Sequence, residues 1–180
     1  MFRSILLCAV LVFAGSALRA AELPPDVAAE VAKFKDANPK VRQQGLTALG
    51  KMGEKAKPAI PNINEMLSDK TTWVTTRAMM VLSEIGPDET CAKPVSPFLA
   101  TGPDIRVMAV DVLAALKEKS VPVVIEALKD DKSAEGACEV LIKIGSAGKG
   151  AAAQVTATSN STKSAPVKAA CAKALKAINK

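Results

Sequence analysis

The sequence predicts an all-α fold, an α-α superhelix of about four and a half helical pairs. Three observations carry this. One template recurs five times, each copy bears the same apolar stripe, and the copies begin and end on helix-terminating residues. The template starts at Val41 as VRQQGLTALGKMG (41–53). It returns as VTTRAMMVLSEIG (74–86), IRVMAVDVLAALK (105–117), SAEGACEVLIKIG (133–145) and VKAACAKALKAIN (167–179), at spacings of 33, 31, 28 and 34 residues. Periods of this length are the mark of stacked repeats.

The first element precedes the copies. PDVAAEVAKFKD (25–36) places Val27, Val31 and Phe34 on one helical face. Its end, FKD, resembles LSD (67–69) and LKD (128–130), so the chain opens on a half repeat that covers an open end. In the copies, the ninth position is always leucine: Leu49, Leu82, Leu113, Leu141 and Leu175. The fifth is always small: Gly45, Ala78, Ala109, Ala137 and Cys171. Positions one, five, eight, nine and twelve form one face of an α-helix. Asn38-Pro39 and Gly102-Pro103 put Pro at the first helical position. Asp130 and Ser164 fall where an N-cap belongs. Gly53, Gly86 and Gly145 sit one residue past the stripe, where a left-handed cap favours Gly. Between the copies lie shorter second helices at 59–69, 93–102 and 120–131, each with an early Pro. The segment 151–160 is read as a fourth, although Val155 is its only large apolar residue.

Ahead of the repeats, MFRSILLCAVLVFAGSALRAAELPP has Arg3, an apolar run from Ile5 to Ala14, then small residues and Arg19. That order predicts a secretory signal peptide over 1–20, with residues 21–180 as one repeat domain. The apolar run falls short of the ~20 residues of a membrane span. Export to a periplasm or the extracellular space is therefore expected. Removing the leader takes away Arg3 and Arg19 and no acid, so the formal charge falls from +6 to +4. That balance is too mild to be a nucleic-acid footprint.

The copies resemble the HEAT family, and within it the short HEAT-like repeats of the phycobilisome lyases. The shared form is V-R-x-x-A-x-x-A-L-G-x-x-G followed by a helix with an early Pro and a terminal Asp. Val41-Arg42, Ala48-Leu49-Gly50 and Gly53 carry it most fully. Later copies depart from it: Arg106 matches Arg42, Lys168 is a weaker stand-in, and Thr75 and Ala134 break any basic ladder. The resemblance implies a solenoid and leaves function open among scaffolds, adaptors, nucleic-acid binders and lyases.

Composition limits the chemistry. The chain has no histidine, which removes Ser-His-Asp, Cys-His and His-metal sites. No cofactor, metal site or catalytic residue is expected. GSAGKG (145–150) lacks phosphate-loop spacing and reads as a turn. The main expectation is a non-catalytic protein–protein interaction or scaffold module and no enzyme. It would bind an unidentified protein through the concave surface lined by the second helices. Polar gaps there nominate Asn62, Glu65, Lys93, Glu126, Lys129 and Gln154, against a plain reading as solvated surface. Trp73, at a helix start, is either an interface anchor or packed on the preceding repeat. A polyanion or nucleic-acid binder, drawing on Arg42, Arg77 and Arg106, is one alternative. A lyase, by resemblance alone, is another. Cys138 and Cys171 hold neighbouring template positions on adjacent helices. They read as small buried residues in place of Ala, or else as a disulfide, which needs Cα atoms within ~7 Å. Cys91 reads as a free thiol.

Overall fold

The computed structural model describes residues 23–180. The expected leader, its cleavage point and Cys8 lie outside the described residues. Ten α-helices follow in order: α1 (Pro25–Ala32), α2 (Pro39–Met52), α3 (Ile60–Met66), α4 (Thr72–Ile85), α5 (Ala92–Val95), α6 (Pro103–Ala115), α7 (Val121–Ala127), α8 (Asp131–Ile144), α9 (Ala152–Ser161) and α10 (Ala165–Ile178). No described residue forms a β-strand. The five template copies are the five even-numbered helices, and each packs on the next: α2 on α4, α4 on α6, α6 on α8 and α8 on α10. This is the all-α superhelix that the repeat predicts.

The local signals act as expected. Asn38 is extended, and its side chain accepts the Lys40 N–H at 3.0 Å. Asp130 caps α8 through Lys132 N–H, and Ser164 caps α10 through Val167 N–H. Gly53 and Gly145 end their helices at φ +57°, and Gly86 at φ +81°. The third copy has Lys117 in that column, and Lys117 takes φ +51° without being glycine.

The leucine column is buried in four copies and half-buried at Leu175. With Val81, Val112, Val140, Ile85 and Ile178 it builds one apolar core running the length of the stack. Replacing a buried leucine of that column by Ala costs about 2–5 kcal/mol. The small column has a direct cause at Gly45. A Cβ there would stand 2.7 Å from the Glu30 carbonyl oxygen, so α1 lies against α2 closer than any side chain allows.

The second helices are shorter than the first-type helices and carry 3-10 turns. The segment expected at 93–102 is four residues of α5 followed by a 3-10 turn, Ser96–Ala100. Pro97 lies in that turn and has no N–H to continue an α-helix. The segment at 151–160 does form α9, which buries Val155 and Thr158. Hydroxyls close the junctions. Thr75 Oγ1 donates to the Asp69 carbonyl at 3.2 Å, Ser133 Oγ to Ala127 at 2.7 Å and Thr158 Oγ1 to Leu128 at 2.8 Å. These bonds satisfy carbonyls that the ends of short helices leave without partners.

Candidate functional site

A groove lies beside the shortest of the described helices, α5. Where α5 breaks off at Ser96, its 3-10 turn and α7 together frame a groove of about 630 Å³. Its floor is apolar, made by Pro97 and Ala100 on one side and Pro122, Val123 and Ala127 on the other. Polar side chains stand at its margins: Lys93, Ser96, Glu126, Asp130 and Ser133. The two hydroxyls are engaged in the walls. Ser96 Oγ donates to the Lys93 carbonyl and Ser133 Oγ to Ala127. Asp130 holds the start of α8. That leaves an ammonium, Lys93, and a carboxylate, Glu126, over an apolar floor. Glu126 pairs with Lys129 at 2.7 Å, and both side chains remain mostly exposed. Lys93 makes no ion pair among the described residues. Such a groove suits a ligand or peptide with an apolar body and charged ends.

The nominated residues divide. Lys93 and Glu126 line this groove, and Lys129 touches it through Glu126. Asn62 is half-buried and Glu65 exposed on α3, away from the groove lining. Gln154 is half-buried on α9, with Nε2 3.4 Å from Thr158 Oγ1. Trp73 lies on a first-type helix, α4, 40% exposed. It shares a smaller depression with Gln43 of α2 and with Thr76, Arg77 and Met80. Cys138 and Cys171 are fully buried with Sγ atoms 3.6 Å apart, and both are thiols.

Sequence reasoning missed the prolines and Val123 of the groove. The signal was present in Pro94-x-x-Pro97, which cannot sustain a full second helix. It also missed an apolar stripe on the outer helices. Trp73, Met80, Val107 and Ile142 are the exposed large hydrophobics among the described residues. Counted on the template they fall at positions zero, seven, three and ten, one face opposite the buried stripe.

The arginines that favoured a polyanion are each held by carboxylates. Arg42 is on Asp69, Arg77 on Glu84, and Arg106 on Glu135 and Glu139. Among the described residues no group of three or more His, Cys, Asp and Glu is placed to hold a metal ion. No helix there is long and apolar enough to cross a membrane.

No family model and no curated protein matches this chain. Among solved structures it is similar to the complex of CpcE and CpcF of phycocyanin lyase from Nostoc sp. PCC7120. The TM-score is 0.52 at 18% identity, over 82% of this chain and 96% of that one. The two share a helical-repeat fold. That supports the HEAT-like architecture read from the template. The same finding corrects two expectations. The solved neighbour is a lyase complex, so the readings as a non-catalytic scaffold and as no enzyme give way to the lyase alternative. At this identity the fold alone is shared, and the activity is taken up as a proposal.

Proposed function

We propose that the chain acts as one subunit of a lyase-type assembly, with the α5–α7 groove as the place where its substrate or the partner's segment sits. The observation that carries this reading is the likeness, over nearly the whole of the matched chain, to a complex of two proteins that is a phycocyanin lyase. The groove gives it a chemical basis. An elimination, or the reverse addition, moves one proton from carbon and another to the departing group, and so needs an acceptor and a donor facing one substrate. Glu126 and Lys93 supply these across an apolar floor. Both are exposed, so a second protein must cover the groove and exclude water before either acts efficiently. The requirement for a partner thus follows from the openness of the groove.

The expected export belongs to the same proposal, since the leader would deliver the chain to a partner outside the cytoplasm. Sequencing the N-terminus of the protein from its host tests it, with a mature end near residue 21 as the expected result.

The activity test uses the full chain with its captured partner, incubated with host protein and small-molecule fractions and read by intact-mass spectrometry. A covalent adduct, or its loss, that requires both proteins supports the proposal. Val123→Asp and Lys93→Ala should abolish it while leaving the helical spectrum unchanged. A complex that forms normally yet gives no product with any fraction overturns the lyase reading.

A further inference from the structure

The C-terminal helix closes the stack, packing closely on the helix before it in the repeat. Helix α10 buries Val167, Cys171, Ala174 and Ile178, two of which are among the smallest core residues. Its neighbour α9 buries only Val155 and Thr158. Among the described elements with substantial packing against it, α10 rests on α8, α9 and the Gly145–Ala151 turn. Here, and nowhere else among the described residues, two cysteines face each other. Cys138 of α8 and Cys171 of α10 are both fully buried, with Sγ atoms 3.6 Å apart across 33 residues of chain.

We propose that Cys138 and Cys171 are a redox-reactive pair that closes into a disulfide by exchange with a disulfide oxidant, tying α10 to α8. Template position and geometry agree on this. The fifth column demands a small residue, and alanine fills it at Ala78, Ala109 and Ala137. A thiol at Cys171 is therefore not needed for packing. The sulfurs already stand in van der Waals contact, 3.6 Å apart, and a bond between them needs a further approach to about 2 Å. The balance is simple. One cysteine thiolate attacks the oxidant's disulfide and releases its first thiol. The second cysteine then attacks the mixed disulfide and releases the other. Two electrons and two protons pass to the oxidant, which leaves as two thiols.

Burial sets when this happens. The Cys138 thiol is pushed far up, by burial first and then by the neighbouring Cys171. Exchange therefore runs through states in which α10 has come away from α8, or during folding before it docks. As the last element, α10 has a neighbour on one side only, and local opening of this kind is expected at the end of a stack. Once formed, the bond would confine a loop of this length and favour the docked helix. Cys91, buried far from both in the α3–α5 region, stays a thiol.

The experiment refolds the full chain in mixtures of oxidised and reduced glutathione and counts thiols in denaturant. The oxidised sample should show two thiols fewer than the reduced one, and a peptide map should link Cys138 to Cys171. Its melting temperature should rise by several degrees, and the rise should vanish on reduction. Cys171→Ala, which keeps the column small, should fold, retain its thiols and lose the redox dependence. An unchanged thiol count in the wild-type chain, or a link through Cys91, overturns the proposal whether or not the variant folds.

Discussion

The guanidinium of Arg42 grips the carboxylate of Asp69 with two hydrogen bonds, Nε to Oδ2 at 2.7 Å and Nη2 to Oδ1 at 2.9 Å. Both side chains are more than nine-tenths buried. The remaining guanidinium hydrogens go to the carbonyls of Asp36 and Ala37 and to Thr71 Oγ1. The repeat's signature arginine is thus a clamp between the start of α2 and the end of α3, and is not offered to a ligand. Removing one partner strands the other in a dry site. Arg42→Ala should lower the melting temperature by roughly 10 °C. Arg77→Ala, whose partner Glu84 is more exposed, should cost much less. Thermal melts of the two variants side by side check the order.

Acid should loosen the same clamp. The Arg42 guanidinium, with help from the Thr71 N–H, holds the Asp69 carboxyl below its ordinary range despite burial. A carboxyl that binds protons less readily folded than unfolded adds stability above its ordinary value near 4. That stability is lost as the pH falls through the lower folded value. The urea midpoint should stay level from about pH 7 to 5 and fall below about 4. In Asp69→Asn the fall should be shallower from a lower plateau. Asp26 and Glu54 are lowered too, by Lys55 and Lys57, but in open solvent where screening leaves little effect.

Three glycines in one repeat should answer differently to alanine. Gly45→Ala drives a methyl into backbone of α1 and should cost about 1–3 kcal/mol. At Gly50 the atoms in the way are the ends of the Glu84 and Arg77 side chains, which can move. The gain of about 1 kcal/mol in helix propensity should largely offset that displacement. Gly53→Ala meets no atoms but must hold φ +57°, at a cost of about 1–2 kcal/mol. Chemical denaturation of the three variants should return Gly50→Ala as the mildest.

Lys117 invites the opposite change. It stands in the column that is glycine in three other copies and holds φ +51° at the end of α6. Its side chain is exposed and makes no ion pair among the described residues. Lys117→Gly removes the strain, against the greater freedom it gives the unfolded chain. A net gain of about 0.5–1 kcal/mol in unfolding free energy is the expected result.

The architecture was readable because its rule is repetitive. One helix with a small residue at Gly45 could be coincidence, but five aligned columns could not. The caps at Asn38, Asp130 and Ser164 and the stops at Gly53, Gly86 and Gly145 are local chemistry and were equally plain. The groove was only half visible. Lys93 and Glu126 showed as polar gaps, but Pro97 and Val123 lie 26 residues apart and meet only once α5 breaks early. Arg42 was visible as a basic residue and was weighed as a ligand contact. Its role depends on Asp69, 27 residues on, and no local pattern announces that pairing. Gly50 had no explanation in the template, because its reason, the Arg77–Glu84 pair leaning over it, belongs to the next helix.

The reach of the clamp also fixes where the array can change length. Arg42 finds all its partners between Asp36 and Thr71, so no described ion pair crosses the seam between Thr71 and Thr72. The seam between Asp130 and Asp131 is crossed by Arg106 to Glu135, Arg106 to Glu139 and Lys143 to Asp111. A duplicated unit spliced in at the first seam leaves every salt link whole, while one spliced in at the second severs all three. Ion pairing therefore leaves the Thr71–Thr72 junction open to an inserted unit and ties together the repeats on either side of Asp130.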